Sequence, residues 1–180
     1  MSHTTVKAIY PNEKHENVSE LSNAWGSAPY VWDNMVRKYL PNHEGWFYGK
    51  LDDLWPLWSD KKIPLHHRAV LMMTYDRAYI AKKDYTRAAN DIRRFLVDFP
   101  PNPSHVNHWR TIAQLLDDDP NYPGIGFWMT SVSEDPFRGE WNEAIESYSP
   151  PDWSSIYDVY ERLDAEDAYQ NHEPKVKFNG

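Results

Sequence analysis

Fourteen prolines punctuate this 180-residue chain, and every regular element must fit between them. The main breaks fall at Pro41, Pro56, Pro64, the Pro100-Pro101-Asn102-Pro103 cluster, Pro120, Pro123, Pro136 and Pro150-Pro151. No internal repeat or low-complexity tract is visible, and no linker cuts the chain in two. The length is read as one domain over 1–180, with 165–180 expected as a frayed acidic-to-basic tail.

Between the breaks the spacing of apolar residues predicts four helices. The clearest runs from about Asp84, a plausible N-cap, to Asp98, with Tyr85, Ala88, Ala89, Ile92, Phe95 and Leu96 on one face. A second is expected from Ser104 to Asp117-Asp118-Asp119, where three carboxylates oppose the helix dipole. A third spans Ala28 to Tyr39 behind Ser27, and a fourth runs from Asp152 to Leu163; Leu51 to Trp58 adds a short turn.

Strands are read at Thr5–Tyr10 and at Gly124–Val132, which is Gly-punctuated, aromatic and β-branched, with a short piece at Ala78–Ala81. Periodicity alone does not decide Arg68–Tyr75; we read it as a strand followed by a two-helix crossover that covers one sheet face. The expected fold is α+β: a helix-rich single domain with a small three- or four-stranded sheet. An all-α fold is the alternative.

The core has aromatic residues to draw on. Nine Trp, twelve Tyr and six Phe make up 15% of the chain, enough to fill an interior and leave some rings for a binding surface. There is no Cys, which excludes disulfides, thiol catalysis and thiolate-bound metals. The first ten residues show no apolar signal region, and the longest strongly apolar run, Ala69–Met73, is far too short to span a bilayer. No membrane partner is expected, and a cytoplasmic location is the default.

Charge is split along the chain. Lys61 to Arg110 holds ten Lys or Arg against four acidic residues, whereas Asp117 to Glu173 holds fifteen Asp or Glu against two Arg. The halves face each other across the fold, solvate different surfaces, present one sign to a partner or associate head to tail with another copy. The basic residues are spread over helix faces within a net-acidic chain, which argues against nucleic-acid binding.

Catalytic signatures are absent. No phosphate-cradling glycine loop, GxSxG or HExxH occurs, and no cofactor is expected. His105 and His108 form an H-x-x-H pair able to face one way, and His66-His67 follows Pro64; either pair needs a carboxylate from elsewhere to make a metal site. Asp76 ends the ambiguous apolar run as a possible acid–base group or turn cap. The stretch Ser131 to Trp141 carries the best binding candidates: Glu134, Asp135, Phe137, Arg138 and Trp141, with Trp128 just before it. The leading expectation is a non-enzymatic, acidic, aromatic-rich interaction protein, binding another protein or its own copy through a charged surface. The alternatives are a His/carboxylate hydrolase, with or without a metal, and an acidic inhibitor occupying a nucleic-acid-binding protein.

Overall fold

The structure, a computed structural model, describes residues 2–12, 14–40, 47, 51–130 and 134–172. The elements run β1 (His3–Tyr10), β2 (Lys14–Ser22), α1 (Ala28–Tyr39), α2 (Leu51–Leu54), α3 (Leu65–Met73) and β3 (Ala78–Ala81). There follow α4 (Tyr85–Asp98), α5 (Trp109–Asp117), β4 (Gly124–Trp128), β5 (Trp141–Asn142), β6 (Ser147–Tyr148), β7 (Tyr157–Asp158) and α6 (Val159–His172). The fold is α+β. Its main sheet has five strands, not three or four, in the order β2-β1-β4-β3-β7, and β5 and β6 pair as a separate small hairpin. All neighbours in the main sheet are antiparallel except β3 and β7.

Strand β1 is buried over six consecutive residues, Thr4 to Ile9, so it is covered on both faces. Side chains alternate across the sheet. Val6, Ile125, Phe127, Ala78 and Ile80 join the helical core, together with Val31, Met35, Ile92, Phe95, Trp109, Ile112, Tyr160 and Leu163. On the other face Lys7, Ile9 and Gly126 lie under Phe137; a Cβ at Gly126 would stand 2.9 Å from that ring. The loop after β4 therefore closes the second face of the sheet.

The hairpin strands β5 and β6 were not expected from the sequence, and the two main-sheet strands that it also missed are the sheet's two edges. β2 is mostly exposed and rich in charge, which hides its alternation. Pairing slips by one residue between Val6 and Lys7, whose partners are Ser19 and Asn17, so Val18 is left over as a bulge. β7 is two residues long and lies inside the segment expected to be one helix from Asp152 to Leu163. There Asp152 instead caps a single 3-10 turn by accepting from the Ser154 amide. The helix starts only at Val159, where Asp158 accepts from the amides of Tyr160 and Glu161.

Arg68–Tyr75 is not a strand. It lies in α3 and the turn that follows, and His67 to Met73 are buried without interruption. A helix enclosed on all sides has no polar face, so it leaves no 3.6-residue signature in the sequence. Helix α5 begins at Trp109 rather than Ser104, because residues 104–108 are pinned against the turn at Ala24–Gly26. His108 donates its amide to the Gly26 carbonyl, and a Cβ at Gly26 would stand 2.7 Å from the Val106 carbonyl oxygen. Only glycine allows that approach. The strand expected over Gly124–Val132 ends at Trp128, and residues 131–132 lie outside the described residues.

The charge split closes on itself. Four ion pairs among the described residues join the basic stretch to the acidic one: Arg68–Asp167, Lys82–Asp119, Arg87–Asp164 and Arg93–Asp117. Two of them clamp α6 to α3 and α4. Arg68 holds Asp167 through both carboxylate oxygens at 2.9 and 3.0 Å, and Arg87 holds Asp164 at 2.9 and 2.8 Å. Among the described residues, no helix is long and apolar enough to cross a membrane.

Candidate functional site

Pro64 precedes the first residue of α3 and cannot be preceded by helix, so His66 and His67 fall in that helix's first turn. Asp98 is the last residue of α4, which Pro100-Pro101 cannot continue. The start of α3 lies beside the end of α4, and this brings the three side chains together. His66 Nε2 and His67 Nε2 both meet Asp98 Oδ2, at 2.8 and 2.9 Å. One ligand atom from each residue lies within 4.8 Å of the other two.

Behind this cluster His67 is held firmly. It is buried, its ring stands 5.4 Å from Phe95 and 4.8 Å from Phe99, and its Nδ1 pairs with the Tyr39 hydroxyl. Tyr30 donates its hydroxyl to the Phe99 carbonyl, fixing the chain as it leaves α4. A neutral His67 satisfies these contacts, donating from Nε2 to Asp98 and accepting from Tyr39 at Nδ1. Burial pushes the His67 pKa down, and the adjoining His66 acts in the same direction, against Asp98. The hydrogen bond from His66 holds the Asp98 carboxyl below its ordinary range. Burial also raises the Tyr39 hydroxyl, which keeps it a donor.

Two imidazole nitrogens and a carboxylate oxygen are a donor set for a borderline divalent cation. Ligand atoms about 2.0–2.1 Å from a tetrahedral zinc stand roughly 3.3 Å from each other. The two Nε2–Oδ2 distances, 2.8 and 2.9 Å, need to open by only about half an ångström to reach that spacing. Metal binding would displace the Nε2 proton of His67 and turn its Nδ1 into a donor toward Tyr39, the arrangement that orients ligating histidines. The outer side of the cluster opens on a cavity of about 470 Å³ lined by His66, Asn90, Arg93, Arg94, Val97 and Asp98.

The residues singled out after β4 sit elsewhere. Asp135 is turned inward, and its Oδ2 meets Lys7 Nζ at 2.8 Å, both side chains nearly fully buried. Phe137 is buried over Lys7, and Arg138 Nε lies 3.5 Å from Asp135. Trp128 packs edge-on to His3 at 5.9 Å, with its Nε1 buried and without a hydrogen-bond partner. Glu134 and Trp141 are exposed, Trp141 in the small hairpin against Tyr148. Ser131 to Ser133 lie outside the described residues.

The H-x-x-H pair does not converge. His108 Nε2 faces the carbonyls of Ser22 and Asn23 at 2.7 and 3.0 Å, while His105 is exposed at the rim of a different cavity with Trp25 and Tyr30. Asp76 accepts the Met129 amide beside an aromatic cavity of about 460 Å³ lined by Trp32, Trp55, Tyr75 and Tyr157. In that cavity Trp32 already donates to Thr74.

No protein-family model, curated protein or solved structure matches this chain. The geometry of His66, His67 and Asp98 is therefore the strongest pointer to chemistry.

Sequence reading noted His66-His67 but could not supply Asp98, which lies 31 residues beyond His67 on another helix. The available signal was positional: an acidic residue ending α4, against the helix dipole, with only Phe99 between it and two prolines.

Proposed function

We propose that this chain is a metal-dependent hydrolase whose divalent cation is held by His66, His67 and Asp98. The observation that carries the reading is the convergence of both Nε2 atoms on one Asp98 oxygen, with Tyr39 bracing the buried ring from behind. Three protein ligands leave coordination positions for water and substrate, and zinc in such a site lowers the pKa of a bound water to about 7. The adjoining cavity gives a substrate access to that face. A cysteine-free chain of this kind suits a reducing compartment such as the cytoplasm.

The test is metal content. Purified full-length chain, stripped with chelator and dialysed against Zn²⁺ or Co²⁺, is expected to retain one ion, and His67→Ala or Asp98→Ala to retain none. Retention of no stoichiometric ion by the parent, or of an equal amount by both variants, overturns the reading.

A second reading is an interaction module, and the β5–β6 hairpin favours it. Trp141, Ile145 and Tyr148 are 52%, 66% and 50% exposed there, among Glu140, Glu143 and Glu146. A partner protein or a second copy would bind these rings with acidic residues at the rim. Light scattering at rising salt tests it: charge-led association weakens, and a strictly monomeric chain with no captured partner counts against it.

A further inference from the structure

We infer that the substrate of the His66–His67–Asp98 site is a phosphate monoester, with Arg94 as the residue that binds its phosphate. This deepens the hydrolase reading and rests on it. The cavity beside the triad draws Asn90, Arg93, Arg94, Val97 and Asp98 from one strip of α4, at positions i, i+3, i+4, i+7 and i+8. Arg94 therefore stands one turn before Asp98, about 6 Å along the helix axis. A guanidinium at that distance can reach the outer oxygens of a group bound to a cation at Asp98.

The two arginines differ. Arg93 is engaged by Asp117 and Asn90. Arg94 is exposed and makes no ion pair or side-chain hydrogen bond among the described residues, although it lines a cavity beside a carboxylate. Charge then selects the ligand. Two neutral imidazoles and one carboxylate leave a bound divalent cation with about one unit of positive charge unbalanced. Arg94 adds about one more, so the site complements a dianion. A phosphate monoester is a dianion at neutral pH with three outer oxygens, enough to meet the cation and a two-pronged guanidinium together. A neutral ester or amide would leave Arg94 unmatched.

The reaction balances with water and the divalent cation alone. The water oxygen bonds to phosphorus, and the phosphorus–ester oxygen bond breaks. The departing oxygen keeps the electron pair and takes one of the water's protons, while the other stays on the released phosphate.

The experiment uses full-length chain loaded with Co²⁺, whose visible spectrum reports its ligands. Inorganic phosphate is expected to shift the spectrum saturably and to compete with turnover of p-nitrophenyl phosphate, whereas acetate at the same concentration does neither. Arg94→Ala is expected to keep full Co²⁺ stoichiometry and to bind phosphate about tenfold or more weakly, with Arg94→Lys between the two. Full Co²⁺ binding without a phosphate response, or equal phosphate affinity in Arg94→Ala, overturns the phosphate assignment and leaves the metal site standing. Failure to bind Co²⁺ overturns both.

Discussion

Lys7 Nζ and Asp135 Oδ2 lie 2.8 Å apart with their side chains only 1% and 6% exposed, joining strand β1 to a loop 128 residues away. Asn17 Oδ1 accepts a second bond from the same ammonium at 3.0 Å, and the Phe137 ring covers it. The pair pins the loop that shields the second face of the sheet. Asp135→Ala leaves a buried ammonium short of its counter-charge and is expected to cost about 3–5 kcal/mol. The double variant Lys7→Met, Asp135→Leu should recover most of that loss, as urea denaturation of all three proteins would show. Equal stability of the single variant and the parent would contradict the burial of this pair.

Acid should release α6. Arg68 holds Asp167, and Arg87 holds Asp164, below the ordinary carboxylate range. A carboxylate with a depressed folded pKa contributes stability that is complete above its unfolded value, near 4, and is lost as pH falls through the folded value. Both carboxylates are partly solvated, so Asp167→Asn is expected to cost about 1–3 kcal/mol at pH 7, more than Asp164→Asn because Arg68 is the buried arginine. Thermal melts from pH 7 to pH 2 should show a shallower decline for the double variant than for the parent.

Tyr39 supports the metal ligand without being one. Tyr39→Phe removes the partner of His67 Nδ1 and should weaken Zn²⁺ binding by about 10–100-fold. The bound stoichiometry at saturating zinc should stay at one. Competition with a chromogenic chelator measures this, and unchanged affinity would show that the tyrosine does not orient the ring.

The β5–β6 hairpin is expected to be dispensable for folding. Trp141 and Tyr148 touch each other at 5.1 Å and are both half exposed. Substituting Trp141 with Ser should change stability by no more than about 0.5 kcal/mol. If the chain associates, the same substitution should abolish that association in sedimentation experiments.

Helix α4 was legible because one face is buried and the other charged: Ala88, Ala89, Ile92 and Phe95 point inward at helical spacing. Helix α3 was not, because its seven buried residues in a row erase the contrast that spacing arguments need. The edge strand β2 failed for the opposite reason, being polar along most of its length. The site divided similarly. His66-His67 stood out as a pair, yet only the packing of α3 against α4 brings Asp98 to them, and tertiary proximity leaves no trace in spacing. His105 and His108 had the better spacing and the poorer outcome, because the backbone carbonyls of Ser22 and Asn23 claim His108. The charge split was plain in the sequence, but its complementarity was not. Arg68 and Asp167 are 99 positions apart.

The bulge at Val18 bears on how the molecule behaves at high concentration. An exposed edge strand offers unpaired amides and carbonyls on which neighbouring molecules can extend a sheet without limit. Along β2 that row is interrupted where Val18 drops out of register, and it carries Lys14, Glu16 and Glu20. A second chain aligning there would meet a kinked template and like charges stacked at every repeat. The bulge, together with the charges that obscured β2 in the sequence, thus guards the protein against fibril growth from its longest open edge.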